Sequence, residues 1–147
     1  MKILFTCHGN VNRSAAGEII LKKLKPEWKV ISGSLREKHN QGKLTTKKMR
    51  ETLNEMGYFT EGIRSTATTQ EMIDSVDVVF YMDNSNEKLL ISKFGDKVLE
   101  KSIRLSSLIN EKSIPDPGFS AGLEMFKKVV PMIEKAIKVY IEQVEGK

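Results

Sequence analysis

A cysteine, an arginine six positions later and an adjoining serine stand together in Cys7-His8-Gly9-Asn10-Val11-Asn12-Arg13-Ser14. Between a strand and a helix, such a loop can turn its backbone N–H groups inward and form an anion nest. The helix N-terminus adds partial positive charge. Gly9 is expected to supply a backbone conformation that other residues resist. Arg13 offers a planar fork matched to two oxygens of a tetrahedral oxyanion. A cysteine at the base of this nest is favoured as thiolate, and a thiolate beneath a phosphate is placed for in-line attack on phosphorus. A lone cysteine at a strand end otherwise reads as a small buried hydrophobe. It is the strand–loop–helix setting that favours the chemical reading. The other phosphate-loop patterns, GxxxxGK[ST] and GxGxxG, do not occur in the chain.

A leaving alkoxide or phenoxide also needs a proton. Of the five aspartates, Asp74 and Asp77 flank a strand start, Asp83 reads as a helix cap, and Asp96 sits in a Gly-Asp-Lys turn. Asp116 stands apart in Ile114-Pro115-Asp116-Pro117-Gly118, where the flanking prolines restrict the backbone that carries the carboxylate. Taken alone, that stretch is an ordinary turn.

The elements that must position these groups follow from the hydrophobic pattern. Residues 2–6 form a short apolar run that ends before Gly9, which predicts a strand. Residues 14–24 place Ala15, Ala16, Ile19, Ile20 and Leu24 at helical spacing. Residues 28–31 read as β, and 45–56 as a helix stopped by Gly57. One or two helical turns are expected over 69–74. Residues 76–82, Val-Asp-Val-Val-Phe-Tyr-Met, make the strongest strand. Asp83, Asn84 or Ser85 could cap a helix running to Phe94, and 98–105 holds a weaker strand. Leu123, Phe126, Val130, Ile133, Ile137, Ile141 and Val144 predict one long terminal helix, with a kink or break near Val129 because Pro131 removes a hydrogen bond. This alternation predicts a single α/β domain over residues 1–147. Its expected core is a central, parallel, about four-stranded Rossmann-like sheet with helices on both faces. Ligands of such sheets bind at the carboxyl ends of the strands, and the first strand runs out at Cys7.

With 147 residues, 39% hydrophobic and 29% charged, the chain suits one soluble domain rather than a disordered segment. No apolar run is long enough to span a membrane. The first ten residues read as a buried strand rather than a signal peptide, so a cytoplasmic monomer is expected. The single cysteine excludes an internal disulfide, a CxxC pair and a cysteine-based zinc site. The net charge of +5 favours anionic partners without choosing among them. The basic residues are spread along the chain with no arginine–aromatic cluster, which argues against nucleic acid.

These residues together resemble the low-molecular-weight protein tyrosine phosphatase family, over nearly the whole chain. The Cys, Gly-Asn and Arg-Ser of the loop match that family's signature. Ser32-Gly33-Ser34 resembles its Ser-Ala-Gly stretch, residues 69–83 the segment closing in a Met-Asp pair, and Asp116-Pro117 its late Asp-Pro. The resemblance implies that Cys7 forms a phosphocysteine. Arg13 and the loop amides from His8 to Ser14 hold the phosphate oxygens, and Asp116 serves as acid and then as base. It implies that Ser14 hydrogen-bonds the thiolate and that Asn10 pairs with Ser32 to brace the loop. It implies a phosphorylated protein substrate, phosphotyrosine first, and neither metal nor other cofactor, since Arg13 and the amides supply the needed charge.

Four departures matter. Asn12 stands where many members carry a second cysteine. Gly118 and Phe119 follow Asp-Pro where aromatic residues often line the substrate slot, and Phe119 is a candidate wall. The family's Arg-Gln before Thr69 survives only loosely as Arg64-Ser65, so the bracing of Asn10 is expected to differ. Val11 stands where protein-arginine phosphatases carry threonine. Lacking the hydroxyl, it favours a phenyl ring over a phosphoguanidinium, and arginine phosphatase is kept as the alternative activity. The related thioredoxin-coupled arsenate reductases need two further cysteines, which this chain lacks. A catalytically silent phosphate-binding module is a further alternative, but it would require neither thiolate nor acid. His8 lies at the loop mouth, where it either touches substrate or is an incidental loop histidine. Trp28 is read as packing, and residues 43–48 as a solvated helix start.

Overall fold

A computed structural model describes residues 1–36, 41–118 and 121–146. Four strands, β1 (Lys2–Cys7), β2 (Lys29–Ser34), β3 (Val78–Tyr81) and β4 (Ser102–Arg104), form one parallel sheet in the order β2-β1-β3-β4. The helices are α1 (Arg13–Leu24), α2 (Lys47–Glu55), α3 (Gln70–Ser75), α4 (Asn84–Phe94) and α5 (Leu123–Glu145). The chain leaves β1 to one side for β2 and crosses to the other side for β3. The carboxyl end of β1 is therefore the switch point where such sheets open a crevice. Cys7 is the last residue of β1, in register with Ser34 of β2.

Side-chain alternation along the strands builds a core on each face. Ile3, Phe5 and Phe80 pack with α1, α2 and α5, while Leu4, Val79 and Tyr81 pack with α3 and α4. On the first face, Phe80 stacks on Phe5 at 5.2 Å and meets Tyr140 of α5 edge-on at 5.0 Å. Gly17 lets α1 settle against β1: a Cβ there would lie 2.5 Å from the Phe5 ring. This close seating fixes the start of α1, and hence Arg13, relative to Cys7.

Several predicted boundaries shift. β2 begins at Lys29 and continues to Ser34, beyond the predicted 28–31, because its distal half pairs with β1. The predicted strand over 98–105 is mostly 3-10 helix, Asp96–Lys101, with only Ser102–Arg104 in the sheet. Val98 owes its apolar character to burial against Leu4, Val79 and Leu90 rather than to a strand. A second 3-10 turn, Leu105–Ile109, follows directly. Pro131 does not break the terminal helix, which runs continuously from Leu123 to Glu145. Pro131 and Lys127, whose carbonyl loses its donor, are both exposed residues, so the lost bond lies on the outer side of the helix. Among the described residues no helix is long and apolar enough to cross a membrane.

Candidate active site

The loop from β1 to α1 wraps around Cys7 Sγ. The amides of Asn10 and Ser14 donate to Sγ at 3.3 and 3.4 Å, and Ser14 Oγ lies 3.0 Å away. Asn10 Nδ2 donates to Ser14 Oγ at 2.7 Å, so the serine's own hydrogen is free to point at sulfur. Cys7 is the only cysteine and is nearly inaccessible, 3% exposed. The first-turn amides of α1 have no intrahelical acceptor. The first helical bond runs from Ala16 N to Asn12 O, and the N-cap residue Asn12 makes no side-chain cap.

The left-handed position of the loop falls on Asn10, with φ of 55°, and Gly9 is not among the positive-φ glycines. The expectation that Gly9 carries the unusual backbone is therefore corrected. Asparagine tolerates this region because its short amide bonds locally, and here it is held on three sides. Besides Ser14, Nδ2 donates to Ser32 Oγ at 2.9 Å, and Oδ1 accepts from Thr66 N at 3.0 Å. Ser32 Oγ in turn donates to Glu18 of α1 at 2.6 Å. Ser65 Oγ donates to the Gly9 carbonyl at 2.9 Å. The segment around Arg64-Ser65 thus reaches the loop through the Ser65 hydroxyl and the Thr66 amide, while Arg64 turns to the Gly42 carbonyl.

Arg13 is 2% exposed yet charged. Its Nη1 donates to Asp83 Oδ2 at 2.6 Å and to the Ile114 carbonyl at 2.9 Å. Nη2 stands 3.7 Å from Asp116 Oδ2. The Pro-flanked turn therefore brings Asp116 to the mouth of the loop, where its side chain is 48% exposed. Its Oδ1 accepts from Gly118 N at 3.0 Å. From the sequence Asp83 reads as a cap. It does cap α4, through Oδ1 and the Asn86 amide at 2.9 Å, but its second oxygen anchors Arg13. Its place at the carboxyl end of β3, the strand beside β1, was the available signal. Burial pushes the Asp83 carboxyl up, but the bonds from Arg13, Asn86 and Ser85 and the guanidinium charge outweigh it and hold it below the usual carboxylate range.

His8 is partly buried at the mouth. Burial, then the charges of Arg13 and Arg36, push its pKa below the ordinary value against the opposing pull of Asp83 and Asp116. Its Nε2 is 3.5 Å from Ser85 Oγ, which donates to Asp83 Oδ1 at 2.8 Å. The Val11 side chain is 5% exposed, and its carbonyl accepts from Thr46 N at 3.2 Å. The side chain of Asn12 turns away from the loop centre. Its Nδ2 donates to the Gly118 carbonyl at 3.2 Å, and its Oδ1 accepts from Thr46 Oγ1 at 2.5 Å. Any hold of Asn12 on a phosphate therefore falls to its backbone. Phe119 lies outside the described residues, as do residues 37–40.

The arrangement brings together a caged thiol, an anchored guanidinium and an accessible carboxyl. That is the equipment for thiol attack on phosphorus with proton donation to the leaving oxygen. Known proteins resemble this chain in sequence and in fold. A probable low molecular weight protein-tyrosine-phosphatase, AmsI of Erwinia amylovora, is 27% identical over 139 residues, 95% of this chain and 94% of AmsI. The Vibrio vulnificus Wzb structure in complex with benzylphosphonate superposes with a TM-score of 0.90 at 26% identity, covering 97% of each chain. The YwlE arginine phosphatase from Geobacillus stearothermophilus shares the fold, with a TM-score of 0.86 at 24% identity over 99% of this chain and 93% of its own. The family model described as low molecular weight phosphotyrosine protein phosphatase matches residues 2–147, and the chain belongs to that family.

Proposed function

We propose that the chain hydrolyses phosphotyrosine in proteins, and simple aryl phosphates, through a phosphocysteine intermediate. The observation that carries this reading is the convergence of two amides and the Ser14 hydroxyl on Cys7 Sγ, with Arg13 fixed by Asp83 and facing Asp116. Sγ attacks phosphorus, the P–O bond to the tyrosine oxygen breaks, and Asp116 gives that oxygen its proton. Water, deprotonated by Asp116, then attacks the phosphocysteine and releases phosphate with the thiolate restored. Arg13 and the first-turn amides of α1 balance the charge on the equatorial oxygens in both steps. Ser14 stabilises the thiolate as it forms and leaves.

Val11 supports an aromatic substrate, since it brings no hydroxyl to meet a guanidinium. The test is release of phenolate from an aryl phosphate, with chelator present, by the wild type, Cys7→Ser and Asp116→Asn. Turnover that survives chelator, vanishes with Cys7→Ser and falls by roughly 10²-fold or more with Asp116→Asn is expected. A folded wild type that binds phosphate without turnover would make the loop a recognition site instead. Faster turnover of phosphoarginine than of phosphotyrosine peptides would reassign the substrate.

A further inference from the structure

We infer that Asn12 is a positioning residue for the general acid, acting through Gly118; the inference rests on reading Asp116 as that acid. Asparagine at a helix N-cap ordinarily turns its side chain back onto the first-turn amides, but Asn12 makes no such bond. Its amide is spent across the site instead, on a residue 106 positions away. A carbonyl only accepts, so the atom facing Gly118 O must be the amide nitrogen. Oδ1 is then left for the Thr46 hydroxyl, which donates to it at 2.5 Å. Thr46 itself is seated as the cap of α2.

Gly118 transmits this grip. Its carbonyl accepts from Asn12 and its N–H donates to Asp116 Oδ1. Its φ of 66° belongs to the left-handed region open to glycine. Thr46, Asn12, Gly118 and Asp116 thus form one hydrogen-bonded chain from α2, through the phosphate loop, to the acid. It leaves Oδ2 of Asp116 as the oxygen on the Arg13 side. Farther along, Lys48 Nζ donates to the Ala121 carbonyl at 2.5 Å and ties the same stretch to α2 a second time. An acid that is 48% exposed and held by few contacts of its own gains its aim from such ties. An error of about 1 Å in placing a reacting group can cost on the order of 10²-fold in rate.

The test is the dependence of turnover on the leaving group. Nitrophenolate departs with little help, whereas phenolate needs the proton. Asn12→Ala is expected to lose about tenfold more turnover on phenyl phosphate than on 4-nitrophenyl phosphate, a fraction of what complete loss of an acid costs. Asn12→Ser places its hydroxyl one bond short of both Gly118 O and Thr46 Oγ1, and so also removes the tie to Gly118. It should show the same bias, and it replaces the alanine variant should that fold poorly. Equal losses on both substrates, or none, would overturn the inference. Asp116→Asn serves as reference. If it shows no steeper leaving-group dependence than the wild type, the acid assignment falls and the role of Asn12 with it. If it does and the Asn12 variants do not, only the role of Asn12 falls.

Discussion

Arg13 Nη1 sits 2.6 Å from Asp83 Oδ2, on a carboxylate whose other oxygen caps helix α4. One side chain therefore fixes the guanidinium and starts the helix after β3. Asparagine caps about as well as aspartate, so Asp83→Asn removes the ion pair while sparing the cap. Arg13, almost fully buried, would keep only its longer pairing with Asp116 at 3.7 Å. A loss of about 2–3 kcal/mol is expected, somewhat below the range for a fully buried pair, because Asp83 is 23% exposed. Urea unfolding would read it as a lower midpoint at constant m-value. Inorganic phosphate should recover more stability in the variant than in the wild type, since it supplies the missing anion. An unchanged midpoint would show that the pair contributes nothing net.

The same carboxylate gives the stability a pH signature. The folded-state pKa of Asp83 lies below its unfolded value, so the native state releases its proton more readily. The resulting stabilisation is fully present above the unfolded pKa, about 3.9, and is lost as pH falls through the folded value. The gap between wild type and Asp83→Asn should therefore close below about pH 4, after a smaller rise as pH falls through the histidine range, because Asp83 also pulls the His8 pKa up. Thermal melts of both proteins across that range would measure it. A gap that instead closed toward alkaline pH would mean that another group controls the pair.

Asn10 combines a strained backbone with three side-chain hydrogen bonds, and two substitutions separate these contributions. Asn10→Gly removes the bonds to Ser14, Ser32 and Thr66 but suits the φ of 55°. Asn10→Ala removes the same bonds and adds the left-handed penalty, about 1–2 kcal/mol. Alanine should therefore be the less stable variant by that amount, and both should lose turnover because Ser14 is no longer held beneath Cys7. Equal stabilities would show that the loop relaxes out of the left-handed conformation once the bonds are gone.

How far the sequence discloses this site depends on the range of each interaction. The Cys7–Ser14 loop, the flanking strand and helix, and the Pro-flanked Asp116 are legible because their chemistry is carried by neighbours in the chain. The second role of Asp83 is hidden because a capping aspartate spends one oxygen locally and offers the other to a residue 70 positions away. Asn12 misleads for the same reason, as its side chain answers to Gly118 and Thr46 rather than to its own helix. Val98 reads as strand because hydrophobicity reports burial and not the backbone that achieves it. Pro131 reads as a breaker because the sequence does not disclose that the lost bond lies on the solvent side.

Cys7 has no thiol to turn to when oxidised, since it is the only cysteine and Asn12 occupies the loop position where a partner could stand. A sulfenic acid at Sγ cannot be captured as an internal disulfide, and further peroxide carries it to sulfinic and sulfonic acids that thiols do not reverse. The expected outcome of graded peroxide followed by excess thiol is incomplete recovery of aryl phosphatase activity, with the shortfall matched by irreversible oxygen adducts on Cys7 in the mass spectrum. Phosphate present during the exposure should protect, because it covers the sulfur from the loop mouth. Asn12→Cys should raise the recovered fraction relative to its own untreated activity. Full recovery in the wild type would overturn this expectation and point to capture of the sulfenic acid by a backbone amide.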